Sequence, residues 1–230
     1  MNTVIPDEVE KFWLDRKKGI SEYIDASDAF RGKKFNEYKK FNLIMLHIFR
    51  DSPFSVIDHK RIFVDYHKWI IETLKIISKS NENWILRIHP SGKRWGEDSN
   101  LILQNIIQKN NLILGDNILI DKNQFSNLDL LSKAKKIVTY SGTSHLEAAC
   151  FGKKVIVISE VMLSKYFENL VFKPISINEY SNLLLSNGSS NKFILNSDQV
   201  MCAKNLLYIR EKLLTLKDDL NGIKIYRNDE

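Results

Sequence analysis

The chain has 230 residues, of which 43% are hydrophobic and 27% are charged, and its formal net charge is +6. This composition is typical of an ordinary globular protein, and no apolar run approaches the ~20 residues that a membrane-spanning helix needs. The lysines are spread along the chain in small clusters and are not concentrated in one stretch, which argues against a nucleic-acid partner. The positive excess is still enough to attract an anionic nucleotide or an acidic membrane surface.

The first residues and the cysteines indicate the compartment. The opening MNTVIPDEVEKFW lacks the basic head and long apolar segment of a secretory signal. Cys150 and Cys202 have no metal-ligand spacing and fall in apolar segments with helical character. We therefore expect reduced thiols in the core, no metal site and no cofactor. The expected location is cytoplasmic, with at most peripheral association with the inner membrane.

The predicted elements follow one another in a regular order. Residues 1–40 are polar and irregular apart from a short helix at 8–16, so we expect an arm or linker outside the core. Five apolar strands are predicted at 43–49, 84–89, 117–120, 136–141 and 154–159. Apolar periodicity and composition predict helices at 62–78, 100–110, 125–134, 145–151, 162–170, 177–185 and 197–220. We assign 41–220 to a single nucleotide-binding Rossmann-like domain and 221–230 to a charged tail.

Strands separated mostly by helices predict the fold class. The pattern is typical of an α/β protein with a doubly wound, mainly parallel five-stranded sheet and helices on both faces. Right-handed crossovers would place the first strand between the second and the fourth, and ligands bind beyond the carboxyl ends of such strands. The sequence has no GxGxxG and no Walker motif, which excludes a standard dinucleotide fold and a P-loop enzyme.

The segment 136–159, KIVTYSGTSHLEAACFGKKVIVIS, reads as a strand, a tight turn, a short helix and a second strand. The turn is polar and contains Ser141, Gly142, Thr143 and Ser144. Hydroxyl groups beside the N–H groups of a helix start suit a phosphate, and glycine allows a ligand to approach the backbone. The alternative is an ordinary helix cap, in which Thr143 or Ser144 caps the helix and Glu147 closes a capping box.

Two further polar residues follow predicted strands. Asp51 lies just beyond the strand 43–49, and His89 ends the strand 84–89 immediately before Pro90. Because the topology brings these strand ends together, we expect both residues to meet the loop 141–144 at one edge of the sheet. Asp51 could instead cap a turn, and His89 could be a core residue. The following Ser-Gly-Lys-Arg favours an exposed imidazole beside cations that bind phosphate.

Four runs carry a resemblance to a known family: LHIFRDSP, FVDYHKWIIETL, WILRIHP and YSGTSHLEAACFGKKVIVIS. Over roughly residues 41–160 they resemble the bacterial capsule polysaccharide biosynthesis proteins, which include the Kdo transferases of capsule and lipopolysaccharide assembly. The more specific part is the His-Pro pair followed about 50 residues later by SGT-x-x-LEA-x-x-x-GK. The resemblance implies a metal-independent GT-B glycosyltransferase, in which the second of two Rossmann-like domains binds a nucleotide-sugar donor.

The resemblance also implies roles for the candidate residues. His89 would contact the donor phosphate, and the loop 141–144 would bind phosphate at the start of the helix. Glu147 would accept hydrogen bonds from the ribose hydroxyl groups, because an ionised acceptor makes strong hydrogen bonds. Asp51 would serve as nucleophile or base near the sugar carbon.

A GT-B enzyme also needs an acceptor-binding domain, and only about 40 weakly structured residues precede the first predicted strand. We therefore expect the donor half alone, as a fragment or a subunit, with a partner chain supplying the acceptor domain and a polysaccharide or glycolipid as acceptor. Three functions stay open. The first is transfer of a sugar from a CMP-type or other nucleotide-sugar, and the second is transfer of a polyol phosphate from a CDP-alcohol. The third is a non-catalytic nucleotide-binding subunit that requires a partner chain.

Overall fold

The computed structural model describes residues 6–20, 32–50, 62–159, 169–187 and 191–213. Its helices are α1 (Pro6–Lys17), α2 (Tyr66–Ile77), α3 (Ser99–Lys109), α4 (Asn127–Lys133), α5 (Ser144–Cys150), α6 (Ile177–Leu185) and α7 (Ser197–Tyr208). Its strands are β1 (Asn42–Met45), β2 (Trp84–Arg87), β3 (Ile118–Asp121), β4 (Ile137–Thr139), β5 (Val155–Val157) and β6 (Val171–Phe172). Short 3-10 turns occupy Gly92–Trp95 and Asn191–Phe193, and a π-helical turn, Ile209–Leu213, follows α7.

The described strands form one parallel sheet in the order β3-β2-β1-β4-β5-β6. The predicted doubly wound α/β fold is therefore confirmed, and β1 does lie between β2 and β4. The sheet has a sixth strand that was not predicted, because β6 has only two residues and no pattern that a sequence could reveal. The strand order reverses direction between β1 and β4, which is where a crevice opens in folds of this kind.

Alternating residues of each strand enter two separate hydrophobic clusters, one on each face of the sheet. Leu43 and Ile137 join the cluster with α1, α4, α5 and α7. Ile44 and Val138 join the cluster with α2, α3 and α6. Since neighbouring side chains of a strand point to opposite faces, a strand buried on both faces must be apolar throughout. This is why the strands were recognisable as continuous apolar runs.

Part of the segment expected to be an arm packs in the core. The predicted helix at 8–16 is confirmed as α1, and its Val9 and Trp13 are 0% and 3% exposed. The indole of Trp13 meets the ring of Phe151 edge to face, with centroids 5.0 Å apart. Phe35, from the predicted linker, is also buried, in contact with the ring of Phe125. Large apolar side chains that are isolated in a polar segment thus contribute to the core.

Several predicted bounds differ from the structure. The strand predicted at 43–49 ends at Met45. The helix predicted at 197–220 is α-helical over Ser197–Tyr208 and π-helical over Ile209–Leu213, and residues 214–220 lie outside the described ranges. The helix predicted at 162–170 falls mostly on residues outside the described ranges. Both cysteines are free thiols, but Cys202 is exposed, so the expectation that both are core residues was wrong for one of them.

Two features are absent from the described residues. Over these ranges, none of the helices combines the length and apolar character that crossing a membrane requires. The same part of the chain contains no group of three histidine, cysteine or acidic side chains placed to hold a metal ion.

Candidate functional site

A cavity of about 310 Å³ opens at the carboxyl edge of the sheet. Three of its walls follow strands: residues 45–47 at the end of β1, 88–91 after β2 and 141–144 after β4. A further wall contains Asn127 and Glu147, together with Arg16 of α1 and residues 210–211 of the π-helical turn. The size falls in the range of small-molecule sites, and the position is the switch point of the sheet.

The cavity brings together most of the residues that the sequence singled out. Those that line it are His89, Ser141, Gly142, Thr143, Ser144 and Glu147. Asp51 lies outside the described residues, so its position is not part of this geometry. The roles assigned to all of these residues stay predictions.

His89 lies in a fixed orientation at the end of β2. Its Nδ1 accepts a hydrogen bond from the backbone N–H of Ser91 at 3.2 Å. In a neutral imidazole one nitrogen accepts and the other carries the proton, so the acceptance at Nδ1 assigns the proton to Nε2. His89 is therefore arranged as a hydrogen-bond donor through Nε2.

His47 is a second histidine in the cavity, and the sequence analysis missed it. Its ring is stacked with that of His89, with centroids 6.2 Å apart and an angle of 24° between the planes. Its Nε2 contacts the carbonyl oxygen of Ser141, which can only accept, so Nε2 is the donor. The prediction of a strand over 43–49 placed residue 47 inside the sheet, whereas β1 ends at Met45. The signal that could have indicated a site residue was a histidine within an otherwise apolar run.

The contact with His47 explains why residue 142 is a glycine. Gly142 has a φ of 112°, a region that residues with a side chain rarely adopt. A Cβ atom built on it would also lie 2.8 Å from Nε2 of His47. The loop and the imidazole can approach this closely only because no side chain stands between them.

The loop 141–144 does not form the capping box that was the alternative interpretation. Thr143 occupies the N-cap position of α5, but its side chain makes no capping hydrogen bond, and Glu147 bonds to Arg16 instead. Within the described part of the chain, the hydroxyl groups of Thr143 and Ser144 have no hydrogen-bond partner.

The side chain of His145 anchors the loop 141–144. Its Nδ1 donates a hydrogen bond to the carbonyl oxygen of Gly142, and the residue is 3% exposed. Burial, with a contribution from the charge of Arg210, lowers the pKa of His145 to about 4. A neutral imidazole therefore fixes the loop at neutral pH, and protonation of that imidazole would be costly.

Four charged residues line a further part of the cavity: Arg16, Glu147, Arg210 and Glu211. Nε and Nη2 of Arg16 both bond to Oε1 of Glu147, at 3.0 Å for Nε. Nη1 of Arg16 lies 3.7 Å from Oε2 of Glu211, and Arg210 pairs with Oε1 of Glu211 at 3.0 Å. Burial alone would lower the pKa of Arg16, but the charges of Glu147 and Glu211 outweigh it and raise that pKa. The guanidinium thus stays charged.

A buried ion pair supports the wall formed by α4. Arg87 pairs with Asp121 across neighbouring positions of β2 and β3, and both side chains are buried. Nε of Arg87 also donates to Oδ1 of Asn127 at 3.0 Å. This bond fixes the orientation of the Asn127 amide, so its NH₂ group is the remaining donor toward the cavity. Nothing in the sequence around Asn127 distinguished it from an ordinary residue at a helix start.

One buried carboxylate connects two of the walls. Glu97 accepts hydrogen bonds from the backbone N–H groups of Phe49 at 3.0 Å and Arg50 at 2.8 Å, in the segment that follows β1. Glu97 itself lies just beyond the 3-10 turn that follows β2, and it also accepts from the hydroxyl of Ser99. The segments that carry His47 and His89 are therefore tied together.

Comparisons with known proteins agree with this architecture. A scan against protein-family models found no match, and a search of curated protein sequences found none either. Among solved structures, the chain is similar to Thermosulfurimonas dismutans KpsC, a beta Kdo 2,4 transferase. The TM-score is 0.51 and the identity 16%, over 86% of this chain and 54% of that chain.

Two other solved structures are similar at lower TM-scores. The UDP-GlcNAc 2-epimerase from Methanocaldococcus jannaschii has a TM-score of 0.41 and 16% identity, over 89% of this chain and 49% of that one. The MnaA–UDP structure from S. aureus has a TM-score of 0.42 and 16% identity, over 84% and 49%. The chain spans about half the length of each of these proteins. The likeness to KpsC supports the Rossmann-like α/β fold.

Proposed function

We propose that this chain is the donor-binding part of a bacterial glycosyltransferase. It would transfer a sugar from a CMP-type nucleotide-sugar to a polysaccharide or glycolipid acceptor in capsule or surface polysaccharide biosynthesis. The observation that carries the proposal is the convergence of His89 with the loop 141–144 at the switch-point cavity. The similarity in fold to a Kdo transferase supports the same proposal.

The polar groups of the cavity suit a nucleotide. Nε2 of His89, the hydroxyl groups of Thr143 and Ser144, and the amide of Asn127 are donors that would bind phosphate oxygens. Ser141 and Gly142 would contribute to the same phosphate site. Glu147 is an acidic acceptor that also lines the cavity, and it would accept hydrogen bonds from the hydroxyl groups of a ribose.

The chemical step and the acceptor need further components. We propose that Asp51 acts as nucleophile or base, and that a partner chain supplies an acceptor domain next to the cavity. The alternative candidate is a non-catalytic nucleotide-binding subunit that requires a partner chain. The two differ in whether the chain alone turns over a CMP-sugar or does so only after a second protein is added. Assays with CDP-glycerol separate both from a CDP-alcohol phosphotransferase.

A thermal-shift screen with CMP, CDP, UDP and GDP tests nucleotide binding directly. A nucleotide present at 100 times its Kd should stabilise the protein by about 2.7 kcal/mol, which corresponds to about 5–10 °C in Tm for a chain of this size. The absence of a shift with all four nucleotides at millimolar concentration would overturn the proposal.

The variant His89→Ala tests the phosphate contact. Loss of a hydrogen bond to a charged group should weaken nucleotide binding by about 1–3 kcal/mol, measured by calorimetry. His67→Ala is the matched control, because His67 is an exposed histidine of α2 that does not line the cavity. Equal affinities of the two variants would reject the role of His89.

A further inference from the structure

We propose that Arg16 is a positioning residue that presents one oxygen of Glu147 to the hydroxyl groups of the bound nucleotide's sugar. The inference rests on the proposed nucleotide-binding function and extends it to α1, a helix that the sequence analysis placed outside the core. Arg16 would act only through Glu147.

The geometry of the ion pair separates the two oxygens of the carboxylate. Nε and Nη2 of Arg16 both bond to Oε1 of Glu147. Among the described residues, Oε2 accepts no hydrogen bond, although the side chain is nine-tenths buried and lines the cavity. A guanidinium usually grips both oxygens of a carboxylate in a parallel fork. Here the second oxygen is left to accept from a ligand.

Arg16 is itself held in place from several directions. Its Nη1 faces Glu211, which Arg210 balances from the same turn. The helix α1 is anchored by its buried Val9 and Trp13 and by an ion pair between Glu10 and Lys204 of α7. The guanidinium therefore reaches Glu147, 131 residues away in the sequence, from a fixed helix.

The charges explain why the position needs an arginine. Two carboxylates and two guanidinium groups meet at this wall, so the ionised Glu147 is compensated although it is only 5% exposed. Without Arg16 the buried carboxylate would lose its charged partner and both bonds that orient it, and it would turn away from the cavity. This change removes the acceptor that the hydroxyl groups of a diol would bind.

The test measures how strongly the protein prefers a nucleotide with ribose over one whose sugar lacks both hydroxyl groups. A purely structural ion pair would not affect this preference. The probe is whichever of CMP, CDP, UDP and GDP binds most tightly, compared by calorimetry with its own 2′,3′-dideoxy analogue. The wild-type protein should prefer the ribonucleotide at least about tenfold. In Arg16→Met this ratio should fall to about threefold or less, and Arg16→Lys should give an intermediate ratio, because lysine keeps the charge but not the fork of donors.

Lys204→Met is the matched control, since it removes an ion pair that joins α1 to α7 and leaves Glu147 untouched. This variant should keep the wild-type ratio even if it lowers stability. If Arg16→Met does not fold, the same comparison with Arg16→Lys decides the question through a drop of at least about twofold.

The outcomes distinguish the two proposals. Binding of no nucleotide by the wild-type protein would remove the proposed function and this inference together. If the wild-type protein binds the ribonucleotide and its dideoxy analogue equally well, the role of Glu147 is rejected, and with it that of Arg16. A strong wild-type preference that persists in the Arg16 variants would overturn the positioning role alone and leave the nucleotide site standing.

Discussion

The buried His145 should make the stability of the protein depend on pH in a specific window. Burial lowers the pKa of His145 to about 4, against 6.5 for an ordinary histidine. Between these values the unfolded chain binds a proton that the folded protein does not. The contribution of the neutral His145 to the unfolding free energy is therefore fully present above pH 6.5, and it is lost as the pH falls toward 4.

The size of the effect follows from the two pKa values. From pH 7.5 to pH 5, this one residue should cost about 2 kcal/mol of unfolding free energy, rising to about 3 kcal/mol at pH 4. Urea titrations at pH 7.5, 6 and 5 would measure it. His145→Asn removes the titrating group but keeps a short side-chain donor for the carbonyl oxygen of Gly142.

The test compares how the unfolding free energy changes with pH in the parent protein and in His145→Asn. Absolute stabilities are not compared, since the substitution also changes packing. His145→Asn should lose about 2 kcal/mol less than the parent protein between pH 7.5 and pH 5. His67→Asn controls for the loss of one histidine from the chain. An identical loss in the parent and in His145→Asn would refute the reasoning that a neutral, buried imidazole fixes the loop.

Two other substitutions test the framework of the site by urea unfolding. Gly142→Ala should destabilise by about 1–3 kcal/mol, because the backbone is strained for alanine and the methyl group meets His47. His47→Ala in the same chain should recover part of this loss, and a neutral Gly142→Ala would contradict the described approach. Arg87→Met should cost about 3–5 kcal/mol by leaving Asp121 buried and unpaired, whereas Arg87→Met with Asp121→Leu should cost much less. Additive losses in that double variant would show that Arg87 and Asp121 contribute independently and would contradict the described pairing.

The fold could be predicted from the sequence because each strand is buried on both faces. Continuous apolar residues such as Ile85 and Leu86, which enter opposite clusters, leave a visible signature. The topology rule then placed the loop 141–144 and His89 at one edge, and both do line the cavity. Locally encoded elements and general rules of chain connection were sufficient for this part.

The other side of the site could not be predicted, because it depends on contacts between distant segments. Arg16 lies in a short helix whose sequence pattern says nothing about a partner 131 residues away. Asn127 is oriented by Arg87 of a neighbouring strand, and no spacing in the sequence records that bond. His47 was misjudged because the end of β1 was placed too far along the chain. Side-chain pairs of this kind become visible only after the chain has folded.

The carboxylate of Glu97 links two segments that line the cavity. It fastens the main chain just beyond His47 to the segment just beyond His89, so neither can shift without pulling on the other. We therefore expect the spacing between the imidazoles of His47 and His89 to stay fixed when a ligand binds. A substitution of Glu97, which does not line the cavity, would then weaken ligand binding indirectly.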